Sequence, residues 1–163
     1  MKRLVLLLGA ALAMSAGAAS PLRADTSTPP KLDVFVYVDT VNGTRPAGAK
    51  ARPVGCTQSN IFTRGEQAVF RTWGSETATG DILSTENVKY AYVKIPGQPN
   101  IKLNWGSHGN PGAKVWFWTA AWNIPADYPL GSITARVVFK TESNKFGLYD
   151  YELTINPLPS ASH

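Results

Sequence analysis

The sequence predicts an all-β domain, an antiparallel sandwich of about seven strands, and three observations lead there. Short segments alternate apolar and polar residues and are rich in β-branched and aromatic types. Turn signals rich in glycine, proline and asparagine separate those segments. No stretch beyond the leader repeats apolar residues at spacings of three and four, so helices have no amphipathic face from which to form.

The first segment, "KLDVFVYVD" (31–39), sets Leu32, Val34, Val36 and Val38 against Asp33, Phe35, Tyr37 and Asp39. That alternation suits a strand with one well-buried face. Further strands are expected at 66–73, 88–95, 100–105, 114–122, 132–140 and 147–155. Between them lie Pro96-Gly97, the run Gly109 to Gly112, Pro129-Leu130-Gly131 and Ser143-Asn144-Lys145. Proline presets φ for a turn, and Gly131 can take the positive φ that gives the following strand its direction.

Before these strands, Met1-Lys2-Arg3 leads into an apolar run from Leu4 to Met14 and then into small residues up to Ala19. A short positive region, an apolar stretch too brief to span a bilayer comfortably and small residues at cleavage positions describe a secretory signal peptide. Residues 1–24 are therefore expected to be removed, leaving a flexible, proline-punctuated arm over 25–30, the domain over 31–157 and a tail over 158–163. The expected location is the periplasm or the outside of the cell, with no membrane span. Cleavage removes Lys2, Arg3 and Arg23 and no acid, which lowers the net charge from +5 to +2. So slight a positive charge argues against a nucleic-acid partner.

Two connections are too long for simple hairpins. Thr40 to Asn60 is rich in glycine and proline, with room for a short edge strand near 51–54, and the stretch to Gly65 holds Arg45, Lys50, Arg52 and Arg64 without an acid. Gly74 to Asn87 is its electrostatic opposite, with Glu76, Asp81 and Glu86 and no base. Long structureless connections in compact domains are commonly functional, so the four basic residues are candidates for contact with an acidic partner.

At "IFTRGEQAVFR" (61–71) and "WNIPADYPLGSITARVVF" (122–139) the chain resembles bacterial exported immunoglobulin-like modules of the macroglobulin or fibronectin type. The matching turns are Arg64-Gly65-Glu66 and Pro129-Leu130-Gly131. The resemblance implies an immunoglobulin-like sandwich over roughly 31–157 and brings no catalytic residue with it, since fold does not imply function. The cysteine pair and central tryptophan of antibody domains are missing, so stability is expected to come from packing.

Catalysis lacks its parts. His108 is the only histidine inside the predicted domain, and its neighbour Ser107 cannot face it across a triad; no nucleophile elbow occurs. Asp150 and Glu152 share a strand face expected to meet solvent. Met1 and Met14 leave with the leader, and one cysteine with two histidines cannot build a closed zinc site. No enzyme activity, cofactor or metal is predicted, and Cys56, without a partner in the chain, is expected to be a small buried hydrophobe, with a free reactive thiol or pairing between chains as the alternatives.

The strongest candidate is "KVWFWTAAW" (114–122). On a strand, Trp116, Trp118 and Trp122 share one face, and Val115, Phe117, Thr119 and Ala121 the other. Either the tryptophans enter the core and Phe117 is the exposed oddity, or they form an outward platform with Trp105 on which a sugar or an aromatic compound could stack. Trp73 is expected in the core. The predicted function is a non-enzymatic binding or accessory module that contacts another envelope or extracellular protein. Its alternative is a carbohydrate- or aromatic-binding module built on Trp105, Trp116, Trp118 and Trp122.

Overall fold

The computed structural model describes residues 32–43, 57–109 and 111–158. The predicted leader and arm, the tail after Leu158, the expected edge strand near 51–54, and Arg45, Lys50, Arg52, Cys56 and His163 lie outside those residues.

The described chain is all-β, with nine strands in two sheets. They are β1 (Val34–Asn42), β2 (Ile61–Thr63), β3 (Gln67–Glu76), β4 (Val88–Lys94), β5 (Ile101–Lys102), β6 (Asn104–His108), β7 (Val115–Asn123), β8 (Gly131–Thr141) and β9 (Phe146–Asn156). Sheet A has the order β1-β3-β7-β6 and is antiparallel throughout. Sheet B has the order β2-β9-β8-β4-β5; it is curled, and it is mixed because β2 runs parallel to β9.

Six of the expected strands fall close to where alternation placed them. The seventh, 100–105, is divided: Ile101–Lys102 pairs with β4 in sheet B, Leu103 is fully buried at the crossing, and Asn104 onward joins β7 in sheet A. The expectation of a wholly antiparallel sandwich of seven strands is corrected by this division and by β2. A three-residue strand reached through a long connection has no hairpin to fix its direction, so it can lie parallel at a sheet edge.

The core forms where the inner faces meet. Val34, Val36, Val38, Phe70, Trp118, Ala120 and Trp122 from sheet A face Phe62, Val93, Val137, Phe139, Leu153 and Ile155 from sheet B. Trp118 meets the Phe139 ring edge-on at 5.6 Å, and its indole N–H donates to the Leu83 carbonyl at 2.8 Å. Burial of a ring this size with its one polar atom satisfied is the combination that makes tryptophan a strong core residue.

The β3–β4 connection is shorter than the sequence suggested, because β3 runs on to Glu76 and Ile82 bridges back to Ser75. Leu83 then drops into the core as a plug. Close approach governs Gly147 on β9, where a Cβ would stand 2.6 Å from Val34 Cγ1, so the residue that lets β1 and β9 pack must be glycine. Gly131 takes φ +103°, as expected of the corner before β8.

Candidate functional site

The two faces of β7 are now assigned. Trp118 and Trp122 point inward and are 5% and 3% exposed, so the inward alternative holds for both and neither offers a stacking surface. Trp122 packs edge-on against Tyr128 at 4.9 Å. Trp105 sits opposite Trp118 on β6, partly buried against the core. Trp116 shares their face but lies two residues nearer the strand start, where it stacks on Trp105 at 5.9 Å and stays 53% exposed.

Phe117, the residue that should be exposed in that arrangement, is only 7% exposed. Neighbours on the outer face of sheet A cover it, although Phe35 and Tyr37 on that face remain 59% and 43% exposed. Tyr37 and Trp73 are direct cross-strand partners with rings 5.7 Å apart, Trp73 lies 4.9 Å from Phe117, and the His108 imidazole stacks on Phe117 at 4.2 Å. Gly106 stands opposite Phe117 on β6 and leaves the space that His108 fills from two residues along. Trp73 is thus on the outer face, correcting its expected place in the core. Its parity follows from pairing with β1, which the strand's own sequence does not reveal.

The next cross-strand row is Asp39, Arg71 and Thr119. Asp39 is buried and accepts from Arg71 Nε at 2.6 Å and Nη2 at 2.7 Å, in the fork geometry that a guanidinium offers a carboxylate. Gln58 Nε2 donates to the same carboxylate at 2.7 Å and to the Tyr37 hydroxyl at 3.2 Å. A hollow of about 430 Å³ opens over Val69, Thr119 and Ala121 between this ion pair and the His108–Phe117 stack. Ser107 and His108 are successive on β6 and so face opposite sides of the sheet, with no shared proton path.

Arg64 is a structural residue of the opposite end. Its Nε donates to the Tyr128 carbonyl, and the Gly65 amide donates to Ile124 at 2.9 Å, so the Arg64-Gly65-Glu66 turn is tied to the corner after β7. Burial pushes the Tyr128 phenol above its ordinary range, and its hydroxyl donates to the Pro96 carbonyl at 2.8 Å. A second hollow of about 390 Å³ lies here, lined by Pro96, Gln98, Tyr128 and Ile133.

Sheet B shows a different outer face. One row across β5, β4, β8 and β9 reads Lys102, Tyr92, Val138, Leu148; the next reads Tyr90, Lys140, Phe146; a third reads Lys94, Arg136, Asp150. Tyr90, Phe146 and Leu148 are exposed, and the Tyr90 and Tyr92 rings stack at 5.9 Å. Lys140 Nζ stands 4.5 Å above the Phe146 ring. Arg136 forks onto Asp150 at 2.6 and 2.7 Å, which holds the carboxyl below its usual range and the guanidinium above its own. Asp150 and Glu152 both meet solvent, as their shared parity suggested. Lys94, Lys102 and Lys140 have no carboxylate within ion-pair distance among the described residues. This face was missed at the level of sequence, because its rows join residues from four separate segments.

Among the described residues no group of three or more histidine, cysteine, aspartate or glutamate side chains is placed to hold a metal, and no helix is long and apolar enough to cross a membrane. Two of the three acids noted over 74–87 are engaged: Glu76, at the end of β3, pairs with Lys145 of the β8–β9 turn, and Asp81 accepts from Thr79 at 2.7 Å.

Architecture and surfaces together define a sandwich-like, two-sheet, all-β domain. No family model and no curated protein matches the chain. Among solved structures it is similar to the crystal structure of a DUF4426 family protein from Pseudomonas aeruginosa PAO1, at 15% identity and a TM-score of 0.40, over 77% of this chain and 90% of that one.

Proposed function

We propose that the chain is a non-enzymatic binding module, periplasmic or secreted, that works by contact with another protein of the envelope or the cell exterior. The observation that carries this is the outer face of sheet B. There Tyr90, Phe146 and Leu148 are exposed beside Tyr92, with lysines around them. An aromatic and aliphatic centre with a charged rim is the composition of a protein contact surface, and the core gains little from it. The leader-like sequence of residues 1–24 supports export. The finer kinship with immunoglobulin-like modules belongs to the same proposal, supported by the turns at Arg64-Gly65-Glu66 and Pro129-Leu130-Gly131.

The test is site-directed photo-crosslinking in a bacterium exporting the full chain. A photoreactive phenylalanine analogue replaces Tyr92 or, on the other outer face, Tyr37. The proposal expects a discrete protein adduct from position 92 and none from 37. No adduct at 92, or the same adducts from both positions, would contradict it.

A second proposal, a carbohydrate- or aromatic-binding module, is favoured by one observation: Trp116 is half exposed with Trp105 stacked behind it. Ligand binding there would shift tryptophan fluorescence in a sugar and aromatic panel, and Trp116→Ala would remove the shift without unfolding the domain. A flat response across the panel would eliminate it.

A further inference from the structure

We infer that the outer face of sheet B takes a partner surface that is apolar at its centre and acidic around it; this rests on the protein-binding function proposed above. The cations on this face are Lys94, Lys102, Arg136 and Lys140, and its acids are Asp150 and Glu152. Asp150 is already held by Arg136, which leaves three lysines and one glutamate unmatched.

The arrangement sets the ligand chemistry. Lys102 ends the Tyr92–Val138–Leu148 row and Lys94 stands in the row beside it, so ammonium groups border the apolar strip. Lys140 lies over Phe146, which gives the ammonium an electrostatic partner while keeping it at the surface. Lysine is depleted from interface centres and suits rims, where carboxylates of a partner complete the pairs and steer encounter. Leu148, the exposed aliphatic residue of the central row beside the buried Val138, offers no ring face or hydrogen bond to a sugar, so this row fits apolar protein side chains better than an anionic glycan.

The experiment uses three soluble probes with the full mature chain: a random glutamate–tyrosine copolymer, polyglutamate, and alginate as a polyuronate. The inference expects measurable affinity for the copolymer and weaker affinity for the other two at equal charge. Lys94→Ala/Lys102→Ala/Lys140→Ala should weaken copolymer binding about tenfold or more, added salt should weaken it for the wild type, and arginine at the same three positions should restore it. Unchanged thermal midpoints identify these variants as folded. Failure to bind the copolymer, equal affinity for all three probes, or an alanine variant that binds like the wild type would overturn the inference. The two proposals fail separately. A crosslinked adduct at position 92 that survives the three alanine substitutions keeps the binding function and removes the acidic partner, whereas no adduct in the otherwise unaltered chain removes the binding function itself.

Discussion

The two outer faces of the sandwich are built from similar residues and differ in how those residues are satisfied. On sheet A, Trp73 and His108 enclose Phe117 while Phe35 and Tyr37 stay exposed, and Asp39 and Arg71 are joined at 2.6 Å and largely buried. On sheet B, rings and leucine stand beside lysines that have no carboxylate. Exposed rings occur on both faces, Phe35 and Tyr37 on sheet A and Tyr90 and Phe146 on sheet B, so what distinguishes the faces is whether each charge already has its partner among the described residues.

That contrast predicts that substitutions on sheet A are read in stability. The largest effect is expected from Asp39→Ala, which takes the bidentate carboxylate from a mostly buried guanidinium and should cost about 3–5 kcal/mol in urea unfolding. A loss under about 1 kcal/mol, the level of an exposed pair, would mean that the sheet A face is not held together as described. Phe117→Ala comes next at about 3 kcal/mol, because the ring is enclosed between Trp73 and His108 although it faces outward. A change within the surface range of about 0.5 kcal/mol would return Phe117 to the exposed class.

The smallest effect belongs to sheet B. Arg136 and Asp150 are about half exposed, and such a pair contributes about 0.2–1 kcal/mol. Its pH dependence has a defined sign. The Asp150 carboxyl is held low by its hydrogen bonds to Arg136, so the folded state binds that proton more weakly than the unfolded chain does. The pair's contribution is therefore present above the ordinary carboxylate range and disappears as pH falls through the lowered value. Asp150→Asn should be slightly less stable than wild type at neutral pH and equal to it in strong acid; a gap that widens on acidification would reverse the assignment.

Much of this architecture was legible in the sequence because it is local. Alternation placed β1, β3, β4, β7, β8 and β9, and the parity of β7 correctly separated Trp116, Trp118 and Trp122 from Phe117. What escaped was non-local. Trp73 ends a predicted strand and looks like core, yet its side is fixed by Tyr37 across the pair. The 100–105 segment looked continuous, although Leu103 marks the point where the chain leaves one sheet for the other. The sheet B patch requires the register of four strands before Lys102, Tyr92, Val138 and Leu148 become neighbours. The four-tryptophan platform narrowed for the same reason: alternation gives the face, and only position along the sheet separates buried Trp118 from half-exposed Trp116.

The most direct test of the contrast between the two faces is hydroxyl-radical footprinting of the protein in intact cells against the purified protein. The account predicts that Tyr90, Tyr92, Phe146 and Leu148 are oxidised more slowly in cells while Phe35 and Tyr37 react at the same rate in both. Protection of Phe35 and Tyr37 with an unchanged sheet B face, or no protection anywhere, would contradict it.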